Sequence, residues 1–164
     1  MSISISLDEL IGYSNHERAK WRQWLSADPQ RMALPFQTGG RFETVGSLFA
    51  HIFLVERRHL SRLEGSAIPD TTGVDETSVD ALFEYGATVR AALSNYVQNC
   101  DDATASSELV INVPAGTYTF SRRKLAVHIL MHEIRHLAQV AAIARAEGLA
   151  PPGEHDLFFY PGLR

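Results

Sequence analysis

The chain has 164 residues, a length that suits one domain able to bury an apolar core without disulfide or metal staples. Hydrophobic residues make up 45% and charged residues 21%, which excludes a disordered or fibrous chain. The formal charge of −4 argues against a nucleic-acid partner, which needs a basic face, and the single cysteine, Cys100, rules out an internal disulfide or a cysteine-based zinc cage.

The opening stretch MSISISLDEL has no basic segment leading into an apolar one, and no run reaches the roughly 18 apolar residues of a membrane span. A cytoplasmic protein without a membrane partner is expected. Ser6 followed by Glu9 reads as a capping box, and Leu7, Leu10, Ile11, Ser14, Trp21, Trp24 and Leu25 recur at helical spacing until Asp28-Pro29. A looser stretch through Pro35 and Gly39-Gly40 leads to Thr44. Beyond it Val45, Leu48, Phe49, Ile52, Val55 and Leu63 mark a second helix, closed by Gly65 and carrying His51 in its middle.

Residues Ser66 to Glu76 are rich in Pro, Gly, Asp and Thr and long enough to cross from one end of a helical bundle to the other. Thr77 and Asp80 then predict a capped third helix with a core stripe of Val79, Leu82, Phe83, Val89, Leu93, Tyr96, Val97 and Cys100, in which Gly86 is a blemish. Cys100 reads as a buried small hydrophobe. The β-prone runs Leu109–Val113 and Thr117–Phe120, separated by Pro114-Ala115-Gly116, predict a short hairpin. Ser121 can cap the last helix, which carries Leu125, His128, Ile129, His132, His136, Gln139, Val140 and Ile143 to a stop at Gly148 and Pro151-Pro152. The fold class is therefore all-α: an antiparallel four-helix bundle, residues 1–164 in one domain, with a long crossover and a hairpin before the last helix.

The histidines interrupt an inward stripe, which is costly without a purpose. His132 and His136, one turn apart, share a helix face, and His51 can meet them from the second helix, giving three imidazole ligands and an open position for a divalent metal. His128, one turn earlier, is either a fourth ligand or a pocket residue. Glu133 lies about a hundred degrees round the helix from His132, which favours an exposed residue over a general base. Gln139 can orient a ligand or bound solvent. Glu56 falls on a neighbouring face, and His16, His59 and His155 lack a supporting pattern.

Residues 132–136, HEIRH, also fit the H-E-x-x-H string of zinc metalloproteases. A protease of that kind needs a further ligand downstream and a strand edge to hold an extended peptide. The tail offers only Glu147, Glu154, His155 and Asp156, and the upstream chain is helical apart from the hairpin, so the match is read as coincidence.

The segments ELIGYSNHERAKWRQWL, SLFAHIFLVERRHLSRLEG, HILMHEIRHLAQVAAIARAEG and GLAPPGEHDLFFY together resemble the DinB/YfiT family, damage-inducible proteins unrelated to the DNA polymerase that shares the name. The H-x-x-x-H-x-x-Q helix is the most specific match. The resemblance implies a metal triad of His51, His132 and His136, with Gln139 at the family's glutamine position and Asp156 and Tyr160 at tail positions near the pocket. It also implies nickel, zinc or iron as the metal, a homodimer, and a small-molecule substrate. Some members transfer low-molecular-weight thiols such as bacillithiol or mycothiol, and others are regarded as metal-dependent hydrolases.

Three functions follow as expectations. In the first, metal on the triad activates a thiol for transfer to an electrophile, with Arg122, Arg123 and Lys124 steering an anionic thiol. In the second, water takes the open position and His128 or Glu133 serves as base. In the third, the metal is a non-catalytic ligand of a dimeric bundle, with His128 closing its shell.

Overall fold

Each long helix starts on a side chain that accepts a hydrogen bond from its first turn, satisfying N–H groups that helix geometry leaves without partners. In the computed structural model, which describes residues 4–36, 42–70 and 73–163, helix α1 spans Leu7–Ser26 behind the Ser6–Glu9 capping box. Gly39 and Gly40, expected in a loop, lie outside the described residues. Helix α2, Val45–Glu64, follows Thr44 and stops at Gly65, whose φ of 69° is the left-handed conformation glycine adopts without steric cost.

Helix α3 spans Val79–Asn99, and its cap is Ser78 instead of the expected Thr77. Asp75 explains the shift: its Oδ1 accepts from the Thr77 N–H at 2.9 Å and from the Thr77 hydroxyl at 2.7 Å, so Ser78 is left to accept from the Ala81 N–H. Because α3 ends at Asn99, Cys100 is half-buried at its end and not the core residue expected. A short helix that the pattern did not reveal, α4, Asp102–Ser106, is capped by Asp101. Strands β1, Glu108–Val113, and β2, Gly116–Ser121, pair antiparallel with Val113 opposite Gly116, so Pro114-Ala115 forms the turn. Ser121 caps α5, Arg122–Ala146, as expected. No helix of the described residues is long and apolar enough to cross a membrane.

Helices α1 and α2 each pack against both α3 and α5. The apolar side chains divide into two clusters. One gathers Trp21, Leu25, Phe49, Phe53, Leu82, Phe83, Leu137 and Val140; the other gathers Ile11, Leu60, Leu63, Leu93, Ile129 and Leu130. Along α1 and α5 the second cluster comes first, whereas along α2 and α3 it comes last. Helices α2 and α3 therefore run the same way.

Between the two clusters every long helix contributes a buried polar group: Arg18 from α1, Glu56 from α2, Arg90 from α3 and Glu133 from α5. Arg18 pairs with both Glu56 and Glu133 and donates to the Gly86 carbonyl at 3.1 Å. Arg90 reaches Glu56 Oε1 at 2.7 Å and Glu133 Oε2 at 2.6 Å, and also donates to Ser14 Oγ at 2.9 Å. Ser14 in turn donates to Glu133. Two carboxylates and two guanidiniums make the layer neutral, which is what allows charge at this depth.

This corrects two expectations. Glu133, expected on the surface, is 1% exposed, and Glu56, on a face neighbouring that of His51, is 2% exposed. The His132–His136 pair marks the edge of the inward stripe of α5, and Glu133, taken as pointing away from the core, lies nearer the stripe's centre beside Ile129 and Leu137. Gly86 is no blemish either. A Cβ there would stand 2.9 Å from the Phe53 ring, so glycine lets α3 approach α2 closely.

Two outcomes follow. Glu133→Gln leaves two buried guanidiniums short of a counter-charge and is expected to cost about 3–5 kcal/mol in urea unfolding, whereas Gly86→Ala costs about 1–3 kcal/mol through the Phe53 clash. Burial alone would raise the Glu133 carboxyl, but Arg18 and Arg90 hold it down from an ordinary 4.5 to about 2. A carboxyl depressed in the folded state stabilises fully above its unfolded pKa, so this contribution persists above about pH 4.5 and disappears as pH falls towards about 2. Acid titration of Glu133→Gln should show a shallower loss of stability over that window than the wild type.

Candidate metal centre

The same two helices that bury Glu56 and Glu133 present three histidines on another face. His51 projects from α2 and His132 and His136 from successive turns of α5, and one ring nitrogen from each lies within 4.8 Å of the others. His132 Nε2 stands 3.3 Å from His51 Nε2 and 3.1 Å from His136 Nε2. Nitrogens bound tetrahedrally at about 2.0–2.1 Å from one ion lie about 3.3 Å apart, so this spacing fits a shared cation. Unprotonated Nε2 atoms this close repel through their lone pairs, and a divalent ion removes that conflict.

Protonation also favours ligation. Burial, then the neighbouring His136, His51 and His128 and the Arg135 charge, push His132 down to about 3, so its imidazole is neutral at physiological pH. Burial lowers His136 as well, against an opposing contribution from Gln139. Gln139 Oε1 lies 2.6 Å from His136 Nδ1. Accepting the Nδ1 proton there leaves His136 Nε2 as the ligand atom, the outer hydrogen bond that fixes a ligating histidine.

A cleft of about 640 Å³ opens beside His51, between the start of α2 and the residues leading into α3. Phe42, which the pattern of the sequence did not single out, forms its apolar wall: its ring centroid is 4.5 Å from that of His51 and 5.8 Å from that of His136. Arg58, Glu43 and Glu76 give the cleft its charged positions. His128 is not in the ligand cluster. Its ring centroid is 5.8 Å from that of His132 and 5.5 Å from that of His59, so it stands beside the triad and faces a second histidine. Burial, followed by the charges of Arg62, His128 and Arg58, lowers His59 to about 4.

The remaining candidates lie elsewhere. Arg122 is a tether, donating from Nη1 to the Leu63 carbonyl and from Nε to Ser107 Oγ, the latter at 3.1 Å. Arg122 and Arg123 line a separate cavity with Tyr96 and Cys100. Tyr160 packs its ring against Tyr13 and His16 on α1, and Asp156 lines a cavity between α1, α5 and the tail. Glu133 is locked in the charged layer. His155 packs against α1, its Nδ1 donating to Glu17 Oε2 at 2.6 Å and its ring stacking on Trp21 with centroids 5.2 Å apart.

A predominantly helical protein with a hairpin before its last helix, and with three imidazoles converging between two helices, has side chains that could hold a metal across packed helices. The family model described as the DinB family matches residues 1–160, and the chain belongs to the DinB family. No curated protein matches it.

Untagged protein reconstituted with zinc, nickel or iron(II) is expected to hold about one ion per chain by mass spectrometry, and His51→Ala and His132→Ala to hold none. Gln139→Ala should keep the site but weaken it about 10–100-fold, read by competition with a chelator.

Proposed function

We propose that this DinB-family protein is a metal-dependent transferase that brings a low-molecular-weight thiol to an electrophilic small molecule. The reading carries with it an antiparallel four-helix bundle in which each long helix has one parallel and one antiparallel neighbour. It also carries a homodimer and a cytoplasmic location, both resting on the resemblance and composition set out above.

The observation that supports it is the charge of the ligand set. Three imidazole ligands bring no negative charge, and Arg58 and Arg135 stand close by. His51, His132 and His136 would hold a divalent metal without neutralising it, and such a metal would supply a lowered thiol pKa. Gln139 holds the His136 ring in place, Phe42 shields one side of the triad from water, and the cleft beside His51 admits the thiol. The glutamate of HEIRH takes no part, because two arginines and a serine occupy its oxygens.

A hydrolase is the second reading, favoured by Glu43 and Glu76. Both stand in the wall of the cleft that holds His51, and a carboxylate there can take a proton from water. A non-catalytic metal site needs a fourth protein ligand to close it, and His128 faces His59 instead.

Metal-loaded protein is expected to accelerate conjugation of monobromobimane with bacillithiol or mycothiol, and His132→Ala to lose at least about a hundredfold of that rate. Thiol-independent turnover of esters or amides, lost in Glu43→Gln, would instead establish the hydrolase.

A further inference from the structure

The hairpin has an apolar face that the helices do not fill. An isolated two-stranded hairpin is marginally stable in water and has to pack against something. Here Ile111 and Val113 from β1 and Tyr118 and Phe120 from β2 turn towards Leu125 of α5 across a cavity of about 380 Å³. That volume lies within the range of small-molecule sites. Its polar positions are of one kind. Arg62 and His59 come from α2, Lys124 and His128 from α5, and among the described residues no carboxylate lines the cavity.

Among the described residues Arg62 and Lys124 form no ion pair, and the polar contact of Arg62 is with His59 Nδ1 at 3.1 Å. Burial and then the charge of Arg58 draw the Arg62 guanidinium below its usual pKa, as happens to a cation lacking a counter-charge. Apolar walls with unpaired cations at the edge suit a molecule with an apolar body and an anionic head.

The cavity also adjoins the triad. His128 lines it, and the His128 ring centroid is 5.8 Å from that of His132. The cleft beside His51 and the hairpin cavity thus both adjoin the three histidines, the first through His51 and the second through His128 next to His132.

We propose that the hairpin cavity binds the electrophilic substrate, and that this substrate is an amphipathic organic acid whose apolar body lies against Ile111, Tyr118 and Phe120 and whose carboxylate or sulfonate is held by Arg62 and Lys124. The assignment of the molecule as substrate rests on the transferase reading; the binding does not.

The test is calorimetric titration of metal-free protein with 4-phenylbutyrate and with its neutral amide. The acid is expected to bind about tenfold more tightly than the amide, the gain that charge-assisted hydrogen bonds give. Arg62→Gln combined with Lys124→Gln should bring the acid to the level of the amide, and Val113→Trp, which fills the cavity, should remove binding of both while the far-UV circular dichroism spectrum is kept. Equal binding of acid and amide, indifference to the double substitution, or no binding of either overturns the proposal. The acid is expected to bind His51→Ala as it binds the wild type. Dependence on His51 would place the ligand on the triad and overturn the cavity. Metal stoichiometry measured on the same samples keeps the two ideas apart: loss of the metal site leaves the binding result standing, and absence of acid binding with one ion per chain removes the cavity alone.

Discussion

Four buried charges organise this fold. Arg18, Glu56, Arg90 and Glu133 come from four different helices and meet between two apolar clusters. Apolar packing tolerates sliding and rotation of helices at modest cost, whereas a buried guanidinium that loses its carboxylate faces the full penalty of desolvation. The layer therefore sets register. A shift of any one helix by a turn would strand charges on two others. Gly86 completes the arrangement, because its carbonyl receives Arg18 and its missing side chain admits Phe53, whose ring lies under the Arg18 guanidinium at 4.7 Å.

The histidine triad inherits that precision. Glu56 fixes the rotation of α2 and Glu133 that of α5, and these rotations bring His51 on one helix to His132 and His136 on the other. Ligands must be placed to within tenths of an ångström, and rigid elements achieve this better than loops. The triad lies at the edge of the core, with His132 9% exposed and His136 7% exposed, while Gln139 beyond it is open to solvent. Core and site are thus two faces of one pair of helices, and a change to the charged layer reaches the triad through α2 and α5 without any direct contact.

Much of this was legible in local patterns. Capping residues placed the starts of α1, α2 and α5, left-handed Gly65 placed the end of α2, and histidines at helical spacing within an apolar stripe marked the triad. These signals are contained within one turn or one face of a helix. The charged layer was not legible, because each of its members looks alone like a surface residue and the partner that makes burial tolerable stands on another helix. The same reason hid Phe42, which reaches the triad from outside the helices, and the attachment of the tail through Tyr160 and His155 to α1. The Ser78 cap was obscured by competition, since Asp75 takes the group that Thr77 would otherwise use.

HEIRH shows how far a motif depends on the rotation of its helix. In a metalloprotease the string needs its glutamate directed at the solvent of the metal. In this chain the two histidines lie on the flank of α5, and the residue after His132 turns into the interior, where Arg18, Arg90 and Ser14 hold it as an anion at any pH above about 2. A carboxylate so paired is a poor base, because each arginine favours the charged form and opposes uptake of a proton. The spacing that suggests acid-base chemistry on the sequence thus gives a site whose glutamate is structural. Any base must come from the cleft or from the substrate, and a thiol, acidic enough to lose its proton near a cation, asks least of either.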